Sequence, residues 1–216
     1  MGVGSSVAAE GSDTTRRILL AAAEEFARRG YASARVRDIV QAARVNLAAV
    51  NYHFGGKAGL YAATLRHLAN ARRADGPERR GQAPQARLHR EVFAMLERFI
   101  GAKSASPLSR ILAHEAMNPT PHHDRLVEDM LRPRLESFRV LVRELAGPRV
   151  SDAEVAGAAV GIVGQCLVYL SARGPIDHVH PELTQGRDAC KRLAREITDF
   201  ALAGIEHMRA AKGECE

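Results

Sequence analysis

The chain has no tryptophan, only three cysteines, and few segments rich in β-branched or aromatic residues. The last shortage excludes an architecture built mainly from strands, which need such side chains to fill a pleated surface. Cys166, Cys190 and Cys215 are odd in number and widely spaced, so they offer neither a disulfide framework nor zinc-knuckle spacing. They point to reduced thiols in a cytoplasmic protein. Cys166 and Cys190 read as small buried thiols on helices, with a redox switch as the alternative. One apolar run, Val155 to Leu170, covers sixteen residues where a bilayer needs about 20, and it reads as a buried helix. Met1 to Ser12 lacks a basic start and a long apolar core, so a disordered arm is expected there and not a signal peptide. A nucleophile elbow, a phosphate-binding glycine loop and HExxH are all missing, and His114-Glu115 lacks the second histidine of a zincin. No catalytic residue, resident metal or cofactor is therefore nominated.

What the chain does have is alanine, leucine and arginine in abundance, the composition of an all-α protein. Its 216 residues can hold one large or two modest cores. Residues 1–13 form the expected arm. A first helix over Thr14 to Arg29 buries Ile18, Ala22 and Phe26 and stops at Gly30. A fourth runs from Lys57 to about Arg73 with Leu60, Thr64, Leu65 and Leu68 inward, closing a first domain over 14–73. The breaker-rich stretch 74–84 reads as a linker. The remainder, 85–216, is divided by Pro107, Pro119-Thr120-Pro121 and Gly147-Pro148 into expected helices Gln85 to Lys103, Ser106 to Met117 and His122 to Leu145.

Between the first and fourth helices the spacing is more specific. Val36, Ile39, Val40 and Ala43 form the buried stripe of a short helix, leaving Arg37 and Asp38 outside. Ala42 to Val45 makes a turn, and Asn46 caps a second short helix over about Leu47 to Phe54. Val50 and Phe54 face inward there, while Asn46, Leu47, Ala48, Asn51 and Tyr52 face out. An outer face this poor in charge suits a helix in the major groove, where small and amide side chains touch base edges. Gly55-Gly56 ends the helix, and Lys57 opens the next, where its charge and free amides meet one phosphate. Charge agrees: through Arg73 there are 11 Lys and Arg against 5 Asp and Glu, while the rest balances at 20 of each. Such a basic region attracts double-stranded DNA in a salt-dependent manner.

On Val45-Asn46, Tyr52-His53-Phe54 and Lys57 above all, the segment from Arg16 to Leu65 resembles the DNA-binding domain of TetR-family transcriptional regulators. The resemblance implies that Leu47, Ala48, Ala49 and Asn51 lie on the recognition helix and that Tyr52, His53 and Lys57 hold phosphates. Asn51 stands where the family more often has an aromatic residue, and its amide can read adenine. Arg44 stands where the family usually has glycine; a left-handed arginine costs roughly 1 kcal/mol, but its charge can reach a phosphate. Arg35 replaces the usual serine or threonine cap.

The second region would sense a signal. Arg110, the string Ala113 to Pro121 and His122-His123-Asp124 are similar to the C-terminal domain of the CecR-like subgroup, which implies a repressor released by a small-molecule effector. His114, Glu115 and Asn118, with Gln165 and Tyr169, are the candidate lining of its pocket. Two other roles stay open for His114 and Asn118, which share a helix face: a metal site with Asp177, His178 or His180, or polar groups that satisfy the loop backbone around Pro119. The TetR-like picture also implies a homodimer through its last two long helices. The first carries Gly157, Gly161 and Gly164; the second, Glu182 to Arg209, presents Leu193, Ile197, Phe200, Leu202, Ala203 and Ile205. A palindromic operator follows from the two-fold symmetry. A monomer, and a constitutive architectural DNA-binding protein, are the alternatives.

Overall fold

A computed structural model describes residues 4–73, 82–101 and 105–212. All regular elements among them are helical, as the composition requires. In chain order they are α1 (Gly4–Ser33), α2 (Val36–Ala43), α3 (Leu47–Phe54), α4 (Lys57–Arg73), α5 (Pro84–Ile100), α6 (Pro107–Met117), α7 (His123–Leu126), a π-helical turn (Val127–Leu131), α8 (Arg132–Ala146), α9 (Asp152–Ser171), α10 (Arg173–Val179), α11 (Pro181–Thr184) and α12 (Ala189–Ala211). The expected linker lies outside the described residues except for 82–84, and Cys215 lies outside them too.

Two compact units emerge, one from Met1–Pro77 with Pro107–Leu126, the other from Glu78–Ser106 with Val127–Glu216. The first joins α1–α4 to α6 and α7. Its buried residues are Ile18, Ala22 and Phe26 of α1, Ile39 and Val40 of α2, Val50 of α3, Leu60, Tyr61 and Thr64 of α4, and Ile111 of α6. Here the structure departs from a first domain that ends at residue 73, because α6 packs along α1 and brings Leu108 and Ile111 into its core. Each such side chain, fully buried, contributes about 1.5–3 kcal/mol.

In the second unit α5, α8, α9 and α12 pack against one another around Leu88, Val92, Leu96, Phe138, Val142, Val155, Ile162, Cys166, Leu193 and Ile197. Ser151 and Glu154 form a reciprocal capping box at the start of α9. The Ser151 hydrogen bonds pull the Glu154 carboxyl down to about 2. Cys166 is a free, fully buried thiol, and Cys190 is free and half-buried.

Several helix limits differ from expectation. The residues 4–13 expected as an arm are helical, since adding turns to a nucleated helix costs little. Gly30 does break α1: it takes φ 70°, ψ 170°, a region open only to glycine, before the chain resumes a helical turn to Ser33. The single helix expected over His122 to Leu145 is interrupted by the π turn. Pro133 explains this, because proline has no N–H and its ring clashes with the carbonyl four residues back. The last long helix begins at Ala189 and not at Glu182, because Gly186 takes φ 94°. Phe200 and Ala203, expected on its apolar side, point outward; Phe200 is 71% exposed.

α9 has 20 residues and contains an 18-residue stretch with a mean hydropathy of 1.6, enough by length and composition to cross a membrane. Its Val155, Ala159, Ile162 and Cys166 fill the bundle core, but burial covers only one of its faces. Val160 is 57% exposed, and a Cβ at Gly157, Gly161 or Gly164 would meet nothing within 4 Å.

Candidate nucleic-acid interface

α2 buries Ile39, Val40 and Ala43 and starts without a side-chain cap at Arg35, as its sequence implies. Arg44 stops it in the left-handed conformation, φ 54°, ψ 49°. The Val45 amide donates to the Val40 carbonyl at 3.0 Å and the Arg44 amide to Gln41 at 3.2 Å, the paired bonds of a Schellman motif. The turn is therefore made by main-chain bonds around a residue that lacks glycine's freedom.

Asn46 then accepts the Ala49 amide on Oδ1 at 2.9 Å. Its oxygen is used in holding α3, while its NH2 group has donors left over. Val50 is completely buried, while Leu47 is 53% and Tyr52 86% exposed. Asn46, Ala48, Asn51 and His53 are exposed with them, and Ala49 is half-buried. The His53 ring meets Tyr52 edge-on at 5.0 Å. Gly55 and Gly56, at φ 69° and 105°, turn the chain into α4.

Lys57 does not extend freely from that turn. Its Nζ donates to the Ala32 carbonyl at 3.0 Å and lies 4.9 Å from the centre of the Tyr31 ring. An ammonium has three donors, so one phosphate can be held without breaking this tie. The pairing of arginines is selective as well. Arg17, Arg28, Arg29 and Arg110 are matched by Asp13, Glu25, Asp38 or Glu24. Arg35, Arg37 and Arg44, around the helix-turn-helix, have no acidic partner among the described residues, and all three are exposed. Cations without internal partners are free to displace counterions from a polyanion.

The five candidate sensor residues divide between the units: His114, Glu115 and Asn118 in the first, Gln165 and Tyr169 in the second. His114 Nε2 lies 3.2 Å from the Ala27 carbonyl, and its ring covers Gly30, where a Cβ would come within 3.3 Å of Nδ1. Glu115, 3% exposed, accepts the Tyr61 hydroxyl at 2.6 Å and both the hydroxyl and amide of Thr120, at 2.8 and 3.1 Å. Burial, with help from Glu115, raises the Tyr61 phenol well above its ordinary value. Phe26, Tyr31 and His122 pack their rings around Tyr61. The loop residue Thr120 is thus held by Glu115, which was not expected to serve it, while the His114 ring turns to α1 and not to the loop around Pro119; Asn118 is exposed and its main-chain amide donates to the His114 carbonyl. On α9, Gln165 and Tyr169 are half-buried, and burial foremost raises the Tyr169 phenol. Tyr61 and Thr120 were not foreseen: the only sequence signal was a tyrosine four residues after Lys57, and its partner lies 54 residues away.

Two family models match the chain. That of the bacterial regulatory proteins, tetR family, covers residues 18–64. That of the C-terminal domain of the HTH-type transcriptional dual regulator CecR covers 84–205. No curated protein matches it.

Proposed function

The chain belongs to the TetR family of DNA-binding transcriptional regulators, with a C-terminal domain of the CecR type, and from that premise we propose a homodimeric, cytoplasmic repressor that leaves a palindromic operator when a small-molecule effector binds. The observation that carries the DNA-facing part is α3, a capped helix whose Leu47, Ala48, Asn51 and Tyr52 stand in solvent, with exposed Arg37 and Arg44 nearby in the chain that have no acidic partner among the described residues. Asn51 is the proposed base reader, through a bidentate amide contact to adenine. Tyr52, His53, Lys57 and Arg44 are the proposed phosphate contacts, which set register without reading sequence.

Dimerisation is supported by the open faces of α9 and α12. Gly157, Gly161, Gly164 and Gly204 leave space above them, with exposed Val160 and Phe200 alongside. Small residues let backbones approach closely, and a large apolar side chain left in water favours a partner. A symmetric dimer presents two α3 helices to half-sites about 34–36 Å apart or a multiple of it. Gln165 and Tyr169 are the proposed effector contacts. An effector needs only to prefer a conformation whose recognition helices miss their half-sites; a preference of ~3 kcal/mol weakens the operator complex by about a hundredfold.

The test is anisotropy of a labelled duplex from the region upstream of the gene, against a shuffled duplex, at one near-physiological salt concentration. A preference of about a thousandfold or more is expected. Equal binding to both duplexes, followed by failure of a random-sequence selection to yield a motif, would overturn the specific repressor in favour of an architectural protein.

A further inference from the structure

Tyr31 follows the break at Gly30 and lies over the first turn of α4. Its ring centre is 4.9 Å from Lys57 Nζ and 4.8 Å from the centre of the Tyr61 ring. Lys57 and Tyr61 are four residues apart and so share a face of α4. His122 meets Tyr31 edge-on at 5.7 Å. The Tyr61 ring is fixed in turn at its hydroxyl, which donates to Glu115 of α6. The backbone that carries Tyr31 is held by the same helix, since the His114 ring covers Gly30 and reaches the Ala27 carbonyl at 3.2 Å. Lys57 Nζ also donates to the Ala32 carbonyl at 3.0 Å, in the last turn of α1, where helix carbonyls run out of intrahelical donors. All of these residues belong to the first unit.

We propose that Tyr31 is a positioning residue for DNA binding: its ring, held by Tyr61 and His122, fixes the Lys57 ammonium at the start of α4 before a duplex arrives. This rests on the reading of Lys57 as a phosphate contact. A lysine head group is a compact charge on a flexible four-carbon stem, and immobilising it on binding costs rotamer entropy. Where folding has already met that cost, the contact formed later is stronger. The face of a tyrosine ring attracts an ammonium within about 6 Å, and Ala32 takes only one of the three ammonium donors, so donors remain for a phosphate. An acidic side chain in place of Tyr31 would also hold the ammonium, but it would cancel the charge that DNA needs. Lys57 has no acidic partner among the described residues. Glu115 and His122 hold the rings that hold Lys57, so α6 and the loop after it bear on a phosphate contact that they do not touch.

The test combines a double-mutant cycle with NMR on the full chain. Affinity for a labelled duplex of random sequence at low salt is measured for the parent protein, Tyr31→Leu, Lys57→Ala and the double variant, with folding checked by circular dichroism. Tyr31→Leu is expected to weaken binding about two- to fivefold, the scale of one exposed cation–π contact, and to have no further effect in the Lys57→Ala background. An equal loss in that background would overturn the proposal, because it would mark Tyr31 as a structural support of the whole reader. The chain has only four lysines, so the Lys57 side-chain methylene signals are those that Lys57→Ala lacks. Without DNA they are expected upfield of the other three, shifted by the Tyr31 ring, and to return to the common position in Tyr31→Leu but not in Tyr31→Phe. No upfield shift in the parent protein would overturn the role of Tyr31 and leave the phosphate contact standing, whether or not Tyr31→Leu folds. Undiminished duplex binding by Lys57→Ala beside a clear upfield shift would instead sink the phosphate reading, and the proposal with it.

Discussion

Replacing Arg44 by glycine should make the protein more stable and its DNA complex weaker. At φ 54°, ψ 49° a side-chain-bearing residue pays about 1–2 kcal/mol for its left-handed backbone. Glycine removes that cost but gives back about 0.4–1 kcal/mol through the freer unfolded chain. The Schellman bonds from Arg44 and Val45 are main-chain bonds and survive, so a net gain of about 1 kcal/mol remains. Guanidinium unfolding followed by far-UV circular dichroism should show it as a higher midpoint at unchanged slope. The same variant loses a cation that has no acidic partner among the described residues, so the salt dependence of DNA binding should become shallower by about 0.9 in log–log slope. Arg44→Ala separates the two effects, since it keeps the strain and loses the charge. An Arg44→Gly protein no more stable than Arg44→Ala would refute the strain argument, and an unchanged salt slope would refute the phosphate contact.

Four further outcomes are expected. Lys57→Ala should flatten the salt slope by a similar amount on all duplexes, whereas Asn51→Ala should mainly blur base preference in a selection experiment; the reverse pattern would exchange their roles. Tyr61→Phe deprives a buried carboxylate of one donor and should cost about 1–3 kcal/mol in chemical unfolding, a loss that a solvated pair would not show. Phe200→Asp puts a charge on the open face of α12, and sedimentation should then find monomers; a persistent dimer would place the interface elsewhere. Burial pushes the Cys166 thiol from 9.0 up to about 12, so its contribution to stability is complete below pH 9 and lost as pH rises toward 12. Cys166→Ala should remove that part of the alkaline decline, and an identical decline would show that the thiol is not its source.

The short-range features of the interface were legible in sequence because each is specified within a few residues. Ile39, Val40 and Ala43 give the stripe of α2, Asn46 the cap of α3, and Gly55-Gly56 its end. The left-handed Arg44 was suggested only by the glycine that the TetR family usually has at that place. What was not legible depends on distant partners or on competition between local signals. Nothing near Glu115 shows that it serves Tyr61, and the polar string around it reads equally well as a pocket lining or a structural knot. Pro133 was visible, but whether a helix ends, kinks or widens into a π turn before a proline is settled by packing. Phe200 lay on a plausible apolar stripe, yet Leu193, Ile197, Ala201 and Ile205 are the residues that turn inward.

The return of α6 to the first unit also bears on how the protein is made. Phe26, Tyr61 and Thr64 leave the ribosome well before Ile111, Glu115 and Thr120, which complete their surroundings. At roughly 5–20 residues per second, the chain from Pro77 to Leu126 occupies several seconds of synthesis. During that interval the nascent reader has its recognition helix but not the strut that backs α1 and α4. Newborn chains should therefore acquire operator affinity late, after residue 126 has emerged, and a ribosome stalled earlier should display a helix-turn-helix that chaperones and proteases still treat as unfinished.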